Sequence, residues 1–214
     1  MSFNVARKRM VAEQLVGREI KDQRVLQVMS EVPRHHFVDS GLWIRAYEDG
    51  PINIGWGATI SQPYIVAFML EALELQSTDK VLEIGTGCGY QTALLAHLAK
   101  TVYTIERVKE LFFKARQNLK SLGLRNIVLK LGDGSLGWKD YAPYDAIIVA
   151  ASAPSIPKPL LEQLAEGGRM ILPVGGESHQ DLVLVKKVQG RVLEKTLLPC
   201  RFVKLKGQYG YMKG

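Results

Sequence analysis

The sequence predicts an α/β fold in which helices cover both faces of a doubly wound, mostly parallel sheet. From Lys80 onward, short apolar runs alternate with amphipathic segments, and a glycine-rich turn follows the first run. The alternation then ends in a pattern typical of an antiparallel hairpin. A length of 214 residues suits one domain of this class, because single α/β domains commonly reach about 200 residues or more.

The residues before Lys80 are predicted to form a helical addition to the sheet. A first helix is expected over residues 4–20. The apolar residues of a second helix recur at the helical period, and they are Val25, Val28, Met29 and Val32. Pro33 ends this helix, because proline cannot continue it.

Residues 48–63 contain several glycines and prolines and show little periodicity, so they are predicted to form an ordered surface loop. Loops of this kind often carry function. A third helix should follow and end near Ser77, with one apolar face made of Val66, Met69, Leu70 and Leu73.

Five apolar runs are predicted to be the parallel strands: residues 81–84, 102–105, 127–131, 146–150 and 170–174. One connecting segment has helical spacing over Val108, Leu111, Phe112, Ala115, Leu119 and Leu122. Residues 181–187 and 191–198 flank Gln189 and Gly190, which predicts an antiparallel hairpin.

Composition excludes several classes of protein. Apolar residues make up 47% and charged residues 23% of the chain, as in ordinary globular proteins. No window approaches the roughly 18 apolar residues of a membrane span, and the charged N-terminus has no apolar signal region after it. Cys88 and Cys200 lie far apart and form no Cys-x-x-Cys pair. We therefore expect a cytoplasmic protein that needs no membrane.

The net charge of +7 is carried by the C-terminal part of the chain. From Lys186 onward the basic residues are Lys186, Lys187, Arg191, Lys195, Arg201, Lys204, Lys206 and Lys213, against one acid, Glu194. We favour a solvated strand face as the explanation of this basic tail, and a surface that attracts an anionic partner, either nucleic acid or an acidic peptide, is the alternative. Whether the basic tail selects acidic substrates is left open.

A glycine loop after the first strand is the first sign of a ligand site. Gly85, Gly87 and Gly89 are spaced Gly-x-Gly-x-Gly before a helix, where a ligand can approach the backbone. The Gly-x-Gly-x-x-Gly pattern of dinucleotide-binding proteins is absent, since Tyr90 follows Gly89 directly.

Carboxylates stand at the ends of the next two strands. Glu106 follows the second strand, where an acid can accept hydrogen bonds from both hydroxyls of a ribose. Asp133 lies between Gly132 and Gly134 after the third strand and could accept one from an adenine amine. Alternatively, Glu106 is a solvated strand end and Asp133 caps a helix.

With these motifs the chain resembles the class I S-adenosylmethionine-dependent methyltransferases and, more closely, the protein-L-isoaspartate O-methyltransferase family. The matching segments are residues 58–64, 81–91, 132–134, 144–149 and 167–175. Residues 58–63, Ala-Thr-Ile-Ser-Gln-Pro, are the most specific of these, because many methyltransferases share the glycine motif.

The resemblance implies a Rossmann-like fold, S-adenosyl-L-methionine as cofactor and S-adenosyl-L-homocysteine as product. The implied reaction methylates the free α-carboxylate of L-isoaspartyl residues in damaged proteins and peptides, which starts their repair through a succinimide. The expected organisation is a single methyltransferase domain over residues 1–214. Residues 1–78 would form the helical addition and active-site loop, 79–175 the cofactor-binding core, and 176–214 the C-terminal hairpin and strand.

The resemblance also assigns roles to residues. Ser61 is the expected catalytic residue, although it could instead cap the helix that begins near Gln62. The expected cofactor-binding residues are Ala58, Thr59, Ile60, Ser61, Glu83, Gly85, Thr86, Gly87, Glu106, Arg107, Asp133 and Gly134. Tyr64, Ile65, Lys206 and Tyr209 are expected to contact substrate. Lys204 stands where family members often have proline, which leaves the C-terminal contacts open.

A methyltransferase acting on nucleic acid or on a small molecule is the alternative. Enzymes that methylate exocyclic amines carry an Asp/Asn-Pro-Pro-Tyr/Phe cluster after the fourth strand, where this chain has Ala150-Ala151-Ser152-Ala153-Pro154. The histidines show no metal-ligand spacing, so no metal is expected. A binding protein without activity is a further alternative, against which the resemblance around Ser61 argues. We expect a monomer that binds no nucleic acid.

Overall fold

The structure is a computed structural model that describes residues 2–176 and 178–211. Its α-helices in these ranges are α1 (Phe3–Arg9), α2 (Gln23–Glu31), α3 (Pro63–Ala72), α4 (Tyr90–Leu98), α5 (Lys109–Ser121) and α6 (Lys158–Gln163). The strands in the same ranges are β1 (Ile52–Gly55), β2 (Ala58–Ile60), β3 (Lys80–Ile84), β4 (Thr101–Glu106), β5 (Ile127–Leu131), β6 (Tyr144–Val149), β7 (Leu164–Gly175), β8 (Gln180–Val188) and β9 (Arg191–Cys200).

The central sheet has the strand order β5-β4-β3-β6-β7-β8-β9. Neighbouring strands from β5 to β7 are parallel, and β8 and β9 add to the edge as an antiparallel hairpin. The predicted α/β fold with its helical addition and C-terminal hairpin is confirmed. β3 pairs with β4 on one side and β6 on the other, so the chain reverses its direction of travel across the sheet at β3.

Successive side chains of the inner strands serve two cores. In β6, Ala146 and Ile148 pack with the N-terminal helices and with α3 and α4. Ile147 and Val149 belong to the second core, on the α6 side of the sheet. Strands buried on both faces have continuous apolar sequences, which explains why the runs were recognisable.

The first predicted helix changes its hydrogen bonding along its length. α1 continues into a π-helical turn over Met10–Leu15 and a 3-10 turn over Val16–Arg18. Glu19, with a left-handed φ of 68°, ends the segment. Among the described residues, no helix has the length and apolarity that crossing a membrane requires.

Two predictions for the N-terminal part were wrong in detail. Residues 48–63 are not simply a loop, since β1 and β2 pair as a short antiparallel hairpin in which Ile52 lies opposite Ile60. These strands are too short for an alternating pattern to be visible. α3 ends at Ala72 rather than near Ser77, because Glu74 adopts a left-handed φ of 48°.

Candidate active site

A cavity of about 220 Å³ lies at the carboxyl ends of β3 and β4. Open α/β sheets place ligands where the strand order reverses, and β3 is that point here. The β1–β2 hairpin, the glycine loop, the end of β4 and the C-terminal segment all contribute to the wall. Predicted site residues in this wall are Ala58, Thr59, Ile60, Ser61, Gly85, Thr86, Gly87, Glu106, Arg107, Gly134 and Lys206.

The glycine loop connects β3 to the start of α4. Gly85 and Gly89 both have φ of 91°, and Gly87 has φ of 56°, which side chains other than glycine rarely adopt. At Gly89 a Cβ atom would also lie 3.2 Å from the side chain of Leu119. Substitution there would push the loop away from α5.

Glu106 presents a fixed carboxylate to the cavity. It is 5% exposed and accepts hydrogen bonds from the backbone N–H groups of Gly87 at 2.8 Å, Arg107 at 2.8 Å and Val108 at 2.9 Å. Arg107 and Val108 donate to the same carboxylate oxygen, and Gly87 donates to the other. A carboxylate has about four acceptor sites, so the oxygen bonded to Gly87 can still accept a hydroxyl group of a ligand.

Glu83 lies in β3, fully buried and outside the cavity wall. It accepts hydrogen bonds from Thr92 at 2.5 Å, Thr104 at 2.7 Å and Gln91 at 3.1 Å. Burial raises the pKa of Glu83 to about 7, although these donors oppose the shift. The Thr104 hydroxyl is also 2.6 Å from that of Thr86, a residue of the cavity wall. Glu83 is thus connected to the cavity wall by hydrogen bonds through the hydroxyls of Thr104 and Thr86.

Asp133 connects the end of β5 to the C-terminal segment. One carboxylate oxygen accepts from the backbone and hydroxyl of Ser135 at 2.9 and 2.7 Å, and the other accepts from the backbone N–H of Gln208 at 2.8 Å. Burial alone would raise the pKa of Asp133, but the donors at Gln208 and Ser135 hold it below its usual range. Asp133 caps a short 3-10 helix, which was the alternative to its role at an adenine.

Ser61 lies in the cavity wall immediately before α3. The N-cap of that helix is Gln62 and makes no side-chain capping bond, so the alternative in which Ser61 caps the helix is wrong. Within residues 2–176 and 178–211, the Ser61 hydroxyl has no hydrogen-bond partner. Its carbonyl accepts from Arg34 at 2.8 Å. The hydroxyl is thus left available for a ligand.

Three of the residues expected to contact substrate lie outside the cavity wall. Tyr64 stacks under the guanidinium of Arg18, which is 3.5 Å from the ring centroid. Ile65 packs against the main core. The backbone N–H of Tyr209 donates to Ser135, as part of the attachment of the C-terminal segment.

Sequence reasoning missed two residues around the cavity. Trp56 lies in its wall, is 56% exposed and has a left-handed φ of 52° between two glycines. An exposed tryptophan between glycines was a visible signal. Arg34, which is bonded to the Ser61 carbonyl, had no local signal, because its partners are distant in the sequence.

Together, the parallel sheet, the glycine loop after β3 and the carboxylate at the end of β4 define a class I S-adenosylmethionine-dependent methyltransferase. The family model described as protein-L-isoaspartate(D-aspartate) O-methyltransferase (PCMT) matches residues 6–210. The chain belongs to this family, which confirms the predicted resemblance.

Individual relatives agree with this assignment. A protein-L-isoaspartate O-methyltransferase of Geobacter metallireducens is 52% identical over 212 residues, covering 99% of this chain and 98% of the relative. A relative of the same description from Syntrophobacter fumaroxidans is 53% identical, with 99% of each chain covered. A solved beta-aspartate methyltransferase of Plasmodium falciparum, in complex with S-adenosyl-L-homocysteine, is 29% identical with a TM-score of 0.83, covering 94% of this chain and 98% of that chain.

Proposed function

We propose that this chain transfers a methyl group from S-adenosylmethionine to the free α-carboxylate of L-isoaspartyl residues in damaged proteins and peptides. The methyl ester activates the carboxyl group for return to aspartate through a succinimide, so the activity is one of protein repair. We further propose that residues 1–214 act as one methyltransferase domain, as a monomer and without nucleic acid. The observation that carries the proposal is the Ser61 hydroxyl in the same cavity wall as Glu106.

The cavity fits the cofactor. When bound, S-adenosylmethionine supplies a methyl group that is attached to a positively charged sulfur. The sulfur keeps the electron pair of the bond that breaks when the methyl group is transferred. Glu106 would hold the ribose, because its carboxylate is nearly sealed from solvent, faces the cavity and forms no ion pair with any described cation. Gly85, Thr86 and Gly87 would approach the cofactor with their backbone.

Ser61 would orient the acceptor rather than remove a proton from it. A carboxylic acid with an ordinary pKa of about 4 is already ionised at neutral pH, so the acceptor needs no general base. The Ser61 hydroxyl can donate to one carboxylate oxygen and hold the other toward the methyl group. Orientation of this kind is what an in-line displacement requires.

The C-terminal segment offers contacts for the peptide around the acceptor. Lys204 and Lys206 both lie in the cavity wall, which makes the basic tail a candidate for attracting acidic peptides. If so, Lys206→Glu raises the KM for acidic isoaspartyl peptides more than for neutral ones. An equal change for both would remove this specificity role.

Methyl transfer to a matched pair of peptides tests the function. The peptides differ only in carrying an L-isoaspartyl or a normal L-aspartyl linkage, and the methyl group is isotopically labelled. We expect a base-labile ester on the isoaspartyl peptide alone, lost in Ser61→Ala and kept in Ser121→Ala, which alters an exposed serine at the end of α5. Labelling of neither peptide by a protein that binds the cofactor would favour the alternative acceptors, nucleic acids and small molecules.

A further inference from the structure

A buried arginine lies directly behind the cavity wall. Arg34 is 0% exposed, its Nε donates to the carbonyl of Ala46 at 2.8 Å, and its Nη2 donates to the carbonyl of Ser61 at 2.8 Å. Its Nη1 is buried without a hydrogen-bond partner among the described residues. The guanidinium carbon is 5.0 Å from the ring centroid of Tyr90.

Among the residues that the structure describes, no carboxylate forms an ion pair with Arg34. The ionisable groups that act on it are Tyr90, Cys88 and Tyr47. Burial raises the pKa of each of them, that of Cys88 to about 11, so all are neutral at pH 7. Burial lowers the pKa of Arg34, yet a guanidinium stays protonated in proteins. The two carbonyls and the Tyr90 ring stabilise the guanidinium only in part, since none of them carries a full negative charge. A bound anionic ligand can supply the missing charge.

We propose that Arg34 helps to bind the acceptor, because its buried positive charge stabilises a carboxylate bound beside Ser61. The inference rests on the proposed function. Ser61, Cys88 and Tyr90 line the cavity and also surround Arg34, so one layer of residues separates the charge from the acceptor. In a buried, weakly screened setting, a charge acts across such a layer.

The charge predicts which kinetic constant changes. Methylation converts a carboxylate into a neutral ester, so the acceptor loses negative charge on the way to the transition state. A fixed positive charge beside it therefore favours the bound carboxylate more than the transition state. Loss of that charge should weaken peptide binding and raise KM without lowering kcat. A purely structural Arg34 would instead let Ser61 shift, and kcat would fall.

The test compares Arg34→Lys and Arg34→Gln with a matched arginine outside the site. Arg24 also bridges two backbone carbonyls, those of Leu75 at 2.6 Å and Leu98 at 2.8 Å, and neither residue lines the cavity. The Kd of the isoaspartyl peptide is measured by calorimetry with S-adenosyl-L-homocysteine present, alongside kcat and KM. We expect Arg34→Gln to raise Kd at least about tenfold and to lower kcat by no more than about threefold. Arg24→Gln should leave both constants near wild type.

Arg34→Lys separates charge from packing. Burial lowers the pKa of a lysine by up to about 3 to 5 units from about 10.4, so this lysine should carry its charge at about pH 5 and lose it by about pH 9. The Kd for this variant should lie within about threefold of wild type at the lower pH and rise at least about fivefold at the higher pH. His35 and His36 follow Arg34 in the chain, and both are also present in Arg34→Gln. The pH dependence of the Kd of Arg34→Gln therefore measures any contribution from these two histidines.

Equal peptide affinity in the wild type and both Arg34 variants would overturn the inference, as would a fall in kcat at unchanged Kd. If Arg34→Gln does not fold, the pH dependence of Arg34→Lys decides, and a flat profile rejects the role of the charge. Failure of the proposed function looks different, because the wild type would then bind the cofactor product and label neither peptide.

Discussion

The buried carboxyl group of Glu83 should make the stability of this protein fall as the pH rises through neutrality. Its pKa is 4.5 in an ordinary environment and is raised by burial to about 7 in the folded state. Between these values the folded chain holds a proton that the unfolded chain has released. The free energy of unfolding therefore decreases with rising pH. The contribution of Glu83 is fully present below its unfolded pKa and is lost by the time the pH passes its folded pKa.

The expected magnitude follows from the two pKa values. Where the folded and unfolded chains differ by one bound proton, each pH unit changes the free energy of unfolding by about 1.4 kcal/mol. Between about pH 5.5 and about pH 8, the titration of Glu83 should thus lower the free energy of unfolding by about 2 kcal/mol. The group is fully buried, so solvent does not screen the effect. A change of this size is a large part of the stability of an ordinary domain.

Urea unfolding of the wild type and of Glu83→Gln at both pH values measures this contribution. Glutamine has the same shape and does not ionise, so every other titrating group cancels in the difference between the two proteins. We expect the wild type to lose about 2 kcal/mol more than the variant as the pH rises. Glu162→Gln, which removes an exposed acid, controls for the loss of a carboxylate in general. Parallel pH dependence in wild type and Glu83→Gln would refute the reasoning.

Three other substitutions test the site. Glu106→Gln should raise the Kd for S-adenosyl-L-homocysteine at least about tenfold by calorimetry, because an amide presents N–H groups to the donors of the glycine loop; an unchanged Kd would contradict this role. Asp133→Asn should speed hydrogen exchange at the amide of Gln208 selectively, since the bond between them is lost. Gly207→Ala should lower the Tm, because the added Cβ atom would collide with a carboxylate oxygen of Asp133. Gly50→Ala is the control and should leave the Tm unchanged, because a Cβ atom at position 50 would have no neighbouring atom within 4 Å.

The parts of the fold that could be predicted are those that are determined by residues close together in the sequence. The inner strands are recognisable because they are buried on both faces, and the hairpin because Gln189 and Gly190 form its turn. The β1–β2 hairpin was not predicted, because strands of four and three residues carry too little pattern. Arg34 was missed for another reason, since its partners lie 12 and 27 residues away and only the folded chain brings them together.

The carboxylates at the strand ends show why residue type alone could not assign their roles. Glu83, Glu106 and Asp133 belong to or follow three strands that are adjacent in the sheet, and the sequence predicted that all of them bind the cofactor. Glu83 is buried and accepts from the hydroxyls of Thr92 and Thr104, so it connects β3 to α4 and β4. The oxygens of Asp133 meet Ser135 and Gln208, so it fastens the C-terminal wall.

Glu106 alone of these three lies in the cavity wall. Its donors are all backbone N–H groups from its own strand end and the glycine loop, and one acceptor site of the carboxylate remains for a ligand. The same functional group thus performs three tasks, which are set by the donors that the fold places around it. Substitution of each acid by its amide should accordingly affect three different measurements: pH-dependent stability for Glu83, cofactor affinity for Glu106 and protection of the C-terminal segment for Asp133.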